Sequence, residues 1–169
     1  MTKLDSQLSC LVHAACVEIG GRGVLILGPP GAGKSDLALR LIDQAGSGIV
    51  GSLKPAFLVA DDQVIVTAEA SSLKARAPKA LQGLLEIRGL GILQVPHRRT
   101  TSLALAISLM PASDIERMPE ADYLAHDILG LRLPLVRLDP HAASAPARVR
   151  AALDGLSASE PSVLSTSSR

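Results

Sequence analysis

Aromatic side chains are almost missing from this chain of 169 residues: Phe57 and Tyr123 stand alone, and there is no tryptophan. The apolar core therefore has to be built from Leu, Ile, Val and Ala, and aromatic platforms for stacking bases are excluded. A surplus of either charge is missing too, with 17 Lys and Arg against 16 Asp and Glu and a formal net charge of +1. Nucleic acid is thus not an expected partner, because bulk binding to phosphate backbones rests on many cationic contacts. No apolar run approaches the ~20 residues that cross a bilayer. The longest, 103–110, contains Ser108 and has the length of a strand. The first 15 residues carry Asp5 and His13 and lack the basic start and apolar stretch of a signal peptide, so a cytoplasmic location without a membrane partner is expected. The only cysteines, Cys10 and Cys16, are six residues apart, too far along an extended strand to pair, and are expected as reduced core residues.

What is present suits one domain, since roughly 100–200 residues form a single core. The domain is expected over residues 1–156, with the serine-rich residues 157–169 as a disordered tail. Weak alternation over 8–19, then Gly20, Gly21 and Gly23, then the apolar run 24–27, predicts strand, turn, strand. In 34–44, Leu37, Ala38, Leu41 and Ile42 recur at helical spacing. Runs 56–60, 64–67, 92–95, 103–110 and 131–138 read as strands, the last limited by Pro134. Short helical patterns are read over 80–88 and 113–118, and a final helix over 148–156. Strands outnumber helices and mix hairpin with crossover connections, so the expected class is α/β with a mixed, strand-rich sheet.

One motif dominates. Gly28, Pro29, Pro30, Gly31, Ala32, Gly33, Lys34 and Ser35 fit the phosphate loop G-x-x-x-x-G-K-[ST] at every fixed position, with an apolar strand entering and an amphipathic helix leaving. Such a loop turns backbone N–H groups toward phosphate oxygens at a helix N-terminus, while Lys34 would reach the outer phosphates and the Ser35 hydroxyl a Mg²⁺ ion. Phosphate-loop enzymes also need a carboxylate near the metal, and the apolar run 56–60 ends in Asp61-Asp62. Adjacent strand residues point to opposite faces, so one can face the phosphates while the other orients a neighbour or contacts the metal. Glu86, beside the flexible Gly89-Leu90-Gly91, reads either as a further acidic ligand or as an exposed helical residue.

The order G-x-x-x-x-G-K-S, then V-A-D-D, then L-L-E-I-R-G-L-G-I resembles the catalytic domain of the HPr kinase/phosphorylase family, bifunctional bacterial enzymes acting on a serine of the phosphocarrier protein HPr. His13 stands fifteen residues before Gly28, as a histidine does in that family. The resemblance covers about residues 11–95. It implies ATP and Mg²⁺ as cofactors, an HPr-type phosphocarrier as substrate, and a reverse reaction in which inorganic phosphate attacks phosphoserine to give pyrophosphate. It also implies Lys34 as phosphate ligand, Ser35 and Glu86 as Mg²⁺ ligands, Asp62 as acid/base, and His13 as the residue that sets the Asp side chains. Arg117, in Glu116-Arg117-Met118, would correspond to a catalytic arginine, and a ring-like homo-hexamer would follow from the family. Against long members the chain is expected to be a short form without the amino-terminal domain. About ten residues, 46–55, stand as an insertion, and Arg137-Leu138-Asp139-Pro140-His141 replaces the basic, Gly-containing loop that serves dephosphorylation. A surface around Arg88, Arg98 and Arg99 would contact the phosphocarrier or simply be solvated.

Two rivals remain open at this point. A small-molecule kinase would carry the same loop but usually an Arg-rich lid, for which only Arg98-Arg99 qualify. A non-catalytic nucleotide sensor is the other; a guanine-specific switch would need an Asn-Lys-x-Asp motif, and the chain contains no asparagine.

Overall fold

Residues 8–119 and 124–157 are described by a computed structural model of the chain. In chain order they form β1 (Ser9–His13), β2 (Ala15–Ile19), β3 (Arg22–Leu27), α1 (Lys34–Asp43), β4 (Ala56–Ala60), β5 (Gln63–Glu69), β6 (Ser72–Arg76), β7 (Leu84–Ile87), β8 (Gly91–Gln94), β9 (Thr101–Leu109), β10 (Ala125–Ile128), β11 (Leu131–Leu138) and α2 (Ala145–Ser157). Nine of these strands make one mixed sheet in the order β1-β5-β6-β9-β3-β2-β4, with β11 joined to β9 and β10 to β11, while β7 and β8 form a separate hairpin. The expected α/β class with a mixed, strand-rich sheet is what the fold shows.

Strand direction places the site. β9 runs parallel to both β3 and β11. β2 is antiparallel to β3 and to β4, so β4 runs the same way as β3. The carboxyl ends of β3, β4, β9 and β11 therefore share one edge, and ligands in such sheets bind outside the carboxyl ends of strands. The start of β2, just after His13, comes to the same edge.

Both sheet faces are covered. Val24 and Ile26 of β3, with Leu105 and Ile107 of β9, pack on Leu37, Leu41, Val149 and Leu153 of the helices. Leu25 and Ala106 between them face the opposite way, onto Val59, Val64, Val66 and Leu73. Doubly covered strands read as unbroken apolar runs, which is why β3, β4 and β9 were legible from sequence. Burying each large aliphatic side chain contributes ~1.5–3 kcal/mol. Cys16 is fully buried and Cys10 partly, both unpaired as expected, and burial pushes the Cys16 thiol well above its usual range.

Several expectations need correction. The segment 8–19 is two strands broken at the buried bend residue Ala14, because β1 pairs with β5 whereas β2 pairs with β3 and β4. The helical pattern over 80–88 is a 3₁₀ turn at Lys79–Leu81 followed by β7. Gly83 has φ +73°, outside the helical region, and Leu84 and Leu85 pair across the hairpin with Gln94 and Leu93. The helical turn over 113–118 is confined to Ala112–Asp114. The strand 131–138 runs through Pro134 without a break. Pro134 pairs only toward β10, and the ladder to β9 begins at Leu135, so no missing N–H falls inside that ladder. The final helix starts three residues earlier than read, at Ala145. β6 and β10 were not read at all. The predicted tail lies, from residue 158 on, outside the described residues.

Candidate active site

At the shared edge, residues 28–33 link β3 to α1. Gly33 sits at the helix start with φ +95°, a left-handed value that only glycine adopts freely, and a Cβ there would meet Pro140 at 3.4 Å. The Lys34 side chain is buried and donates to the carbonyls of Gly28 at 2.8 Å and Pro29 at 3.1 Å. Two of its three N–H groups are thereby used, which holds the ammonium over its own loop.

Asp61 and Asp62 lie where the chain leaves β4 and enters β5, and a tight turn from Gln63 N to Asp61 O, 2.8 Å, separates their side chains. Asp61 is buried. Its carboxylate accepts from Ser35 Oγ at 2.7 Å and from the Glu86 backbone N–H at 3.1 Å, tying α1, β4 and β7 together. Asp62, with φ +66°, points elsewhere and meets His13 Nδ1 at 3.1 Å; the two side chains are 62% and 51% exposed. His13 ends β1 opposite Gln63, which brings it to this corner.

These groups line one cleft of about 600 Å³, joined by Gly31, Arg88 and His141. Glu86 stands there on an exposed strand position rather than on a helix. Of the predicted residues, the structure thus gathers His13, Pro30, Gly31, Gly33, Lys34, Ser35, Asp62 and Glu86 around a single space. Gly28, Pro29 and Ala32 belong to the loop without lining that space. Arg117 is exposed on a bend after the 3₁₀ turn and does not line it. Among the described residues, no group of three or more His, Cys, Asp and Glu is arranged to hold a metal alone. Ser35, Asp61 and Glu86 offer the hard oxygen donors that Mg²⁺ prefers.

The sequence profile of the HPr Serine kinase C-terminal domain matches residues 6–149. This chain belongs to that family. The HPr kinase/phosphorylase of Cupriavidus metallidurans is 38% identical over 138 residues, covering 75% of this chain and 39% of that protein. That of Bordetella pertussis is also 38% identical over 138 residues, covering 75% and 41%. The chain therefore spans about two fifths of the length of these relatives. Among solved structures, the Hpr(Ser) kinase/phosphatase from Coxiella burnetii superposes with a TM-score of 0.72 at 26% identity, covering 86% of this chain and 95% of that one.

Within this family domain, the residue whose orientation sequence reasoning left open is Asp61, read there as facing the phosphates, orienting a neighbour or contacting the metal. The signal was present, a pair of carboxylates closing an apolar strand, but which of two neighbours turns inward depends on a backbone corner that periodicity does not show. Arg98 is likewise clarified. It stacks on Phe57, 3.7 Å from the ring centroid, and pairs with Glu18 at 3.1 Å, away from the cleft. No helix among the described residues is long and apolar enough to cross a membrane.

Proposed function

We propose that this domain transfers the γ-phosphate of ATP to a serine of an HPr-type phosphocarrier, and in reverse phosphorolyses the phosphoserine with inorganic phosphate to give pyrophosphate. The observation that carries this reading is the pairing of His13 with an exposed Asp62 in the same cleft that Gly31, Gly33, Lys34 and Ser35 of the phosphate loop line. An acceptor hydroxyl presented on the surface of another protein can reach Asp62, which a closed small-molecule site would not permit. Arg98, half of the candidate lid pair, is spent on Phe57 and Glu18, which weakens the small-molecule reading further.

In this mechanism the loop amides and Lys34 hold the phosphates, and Ser35, Asp61 and Glu86 are the residues that would hold Mg²⁺. When bound, the ion supplies neutralisation of the charge on the transferred phosphoryl group, the main requirement of such reactions. Asp61 orients the Ser35 hydroxyl. Asp62 accepts the proton of the attacking serine and returns it in the reverse direction, with His13 fixing its carboxylate. Arg117 has no role in this mechanism.

The test is incubation with ATP, Mg²⁺ and a phosphocarrier, with the modified residue located by mass spectrometry and small hydroxyl acceptors run in parallel. Phosphoserine on the carrier is the expected result. Transfer only to small acceptors, or binding of ATP without transfer, would replace this reading with one of its rivals.

A further inference from the structure

The cleft adjoins a surface that the mechanism leaves unused. β1, β5 and β6 form an outer layer whose Val12, Val64, Val66 and Ala75 turn inward onto Leu25 and Ala106. Side chains alternate along a strand, so Leu11, Ile65 and Arg76 face the other way, toward solvent. The register sets these three on one rung, Leu11 opposite Ile65 and Ile65 opposite Arg76. Leu11 is 61% exposed and Ile65 half-buried, while Arg76 is exposed and forms no ion pair among the described residues. His13 shares this face two residues farther along β1, about 7 Å away at ~3.4 Å per residue. The rung therefore stands directly beside the exposed pair of His13 and Asp62.

A solvated strand face carries polar side chains, as Ser9 and Thr67 do on the next rung. Two apolar side chains beside the proton acceptor ask for another reason. Their combined area falls far below the ~800 Å² per partner that a stable assembly buries, so they do not suit a permanent interface with a second copy. They suit a contact made and broken at each turnover, which a protein substrate needs. Arg76, at the inner end of the rung, adds a charge that favours an acidic partner surface.

We propose that Leu11, Ile65 and Arg76 form the docking rung for the protein acceptor, holding the phosphocarrier while its serine lies at Asp62. This rests on the protein-kinase reading above and deepens it by naming the surface that selects the acceptor. The partner it fits carries an apolar side chain about 7 Å from the acceptor hydroxyl, and a carboxylate two strand spacings, ~10 Å, beyond that.

The test measures initial rates at saturating Mg²⁺-ATP as the concentration of a purified HPr-type phosphocarrier is varied. Leu11→Ser combined with Ile65→Thr is expected to raise KM for the carrier about 5- to 30-fold with kcat and Mg²⁺-ATP affinity unchanged. Arg76→Glu should raise KM about 5- to 20-fold, less as salt is added, and Arg76→Lys should restore most of the loss. Thr67→Ala, on the next rung, should change nothing. Unchanged KM in the rung variants, or a fall in kcat at unchanged KM, would overturn the proposal. So would sedimentation showing a dimer that the rung variants dissolve, since the surface would then belong to a second copy. If the unmodified protein transfers no phosphate to the carrier, the protein-kinase reading falls and the rung with it; if it does and the variants match it, only the rung is dismissed.

Discussion

Lys34 and Arg150 are both buried cations carried on helices, and they are used in opposite ways. Arg150, 1% exposed on α2, donates to the carbonyls of Lys54 at 3.1 Å and Leu41 at 3.0 Å. Beside it Asp154 pairs with Lys54 Nζ at 2.9 Å and accepts from the Ile49 N–H at 3.0 Å. These bonds pin residues 46–55 to the last helix, and the carbonyls and charges named here face one another inside the fold. In the cleft, by contrast, Lys34 keeps one N–H beyond its two loop bonds and Asp62 is mostly exposed. Charge buried away from the cleft ties segments of the chain together, and charge standing at the open edge of the sheet is placed for chemistry.

If that contrast is right, cleft substitutions should change the reaction and spare stability, and clamp substitutions should do the reverse. The largest effect is expected at Asp62. Asp62→Asn keeps the shape but can neither accept nor return a proton, so initial rates in both directions should fall together by about 10²- to 10⁴-fold with nucleotide affinity retained. Loss in one direction only would remove Asp62 as the shared acid/base.

Next comes Arg150→Met, which strands two buried carbonyls and is expected to lower unfolding free energy by ~2–4 kcal/mol in denaturant titrations. Its affinity for Mg²⁺-ATP should stay unchanged, and a change there would blur the two regions.

Asp154→Asn is a smaller perturbation with a pH signature. The hydrogen bond from Lys54, aided by that of the Ile49 amide, holds the Asp154 carboxyl below its usual value although burial opposes the shift. A carboxyl depressed in the folded state contributes stability that is present above its unfolded value of about 3.9 and lost as pH falls through the folded one. Stability curves of the two proteins should differ at pH 7 and converge in the acid range below about pH 4.

The mildest change is Glu86→Gln, which removes charge but not size. Activity titrated with Mg²⁺ should shift to higher metal concentration, and an unchanged curve would return Glu86 to an idle surface position.

Residues of the phosphate loop, the amphipathic face of α1 and the doubly covered strands β3, β4 and β9 were legible because local sequence alone dictates them: glycine where φ is positive, a 3.6 period, an apolar run. β6 escaped notice because Ser-Leu-Lys-Ala-Arg looks like a polar stretch until β5 and β9 pair on either side and bury Leu73 and Ala75. β10 is a short edge strand whose identity comes from β11. The β7 segment mimicked a helix because Leu81, Leu84, Leu85 and Arg88 carry helical spacing, and only Gly83 and the partner strand β8 decide otherwise.

The same division holds for the site. Sequence by itself determined the loop, its lysine and serine, the paired aspartates and the family they resemble, since these are contiguous motifs whose chemistry is set by residue type and spacing. Tertiary structure alone decided which aspartate turns inward to Ser35 and which outward to His13, that Glu86 arrives on a strand, that Arg117 stays outside, and that His141 enters. Those placements depend on strands from distant parts of the chain ending at one edge, and their direction is set by pairing across the sheet, an interaction that no local stretch of sequence contains.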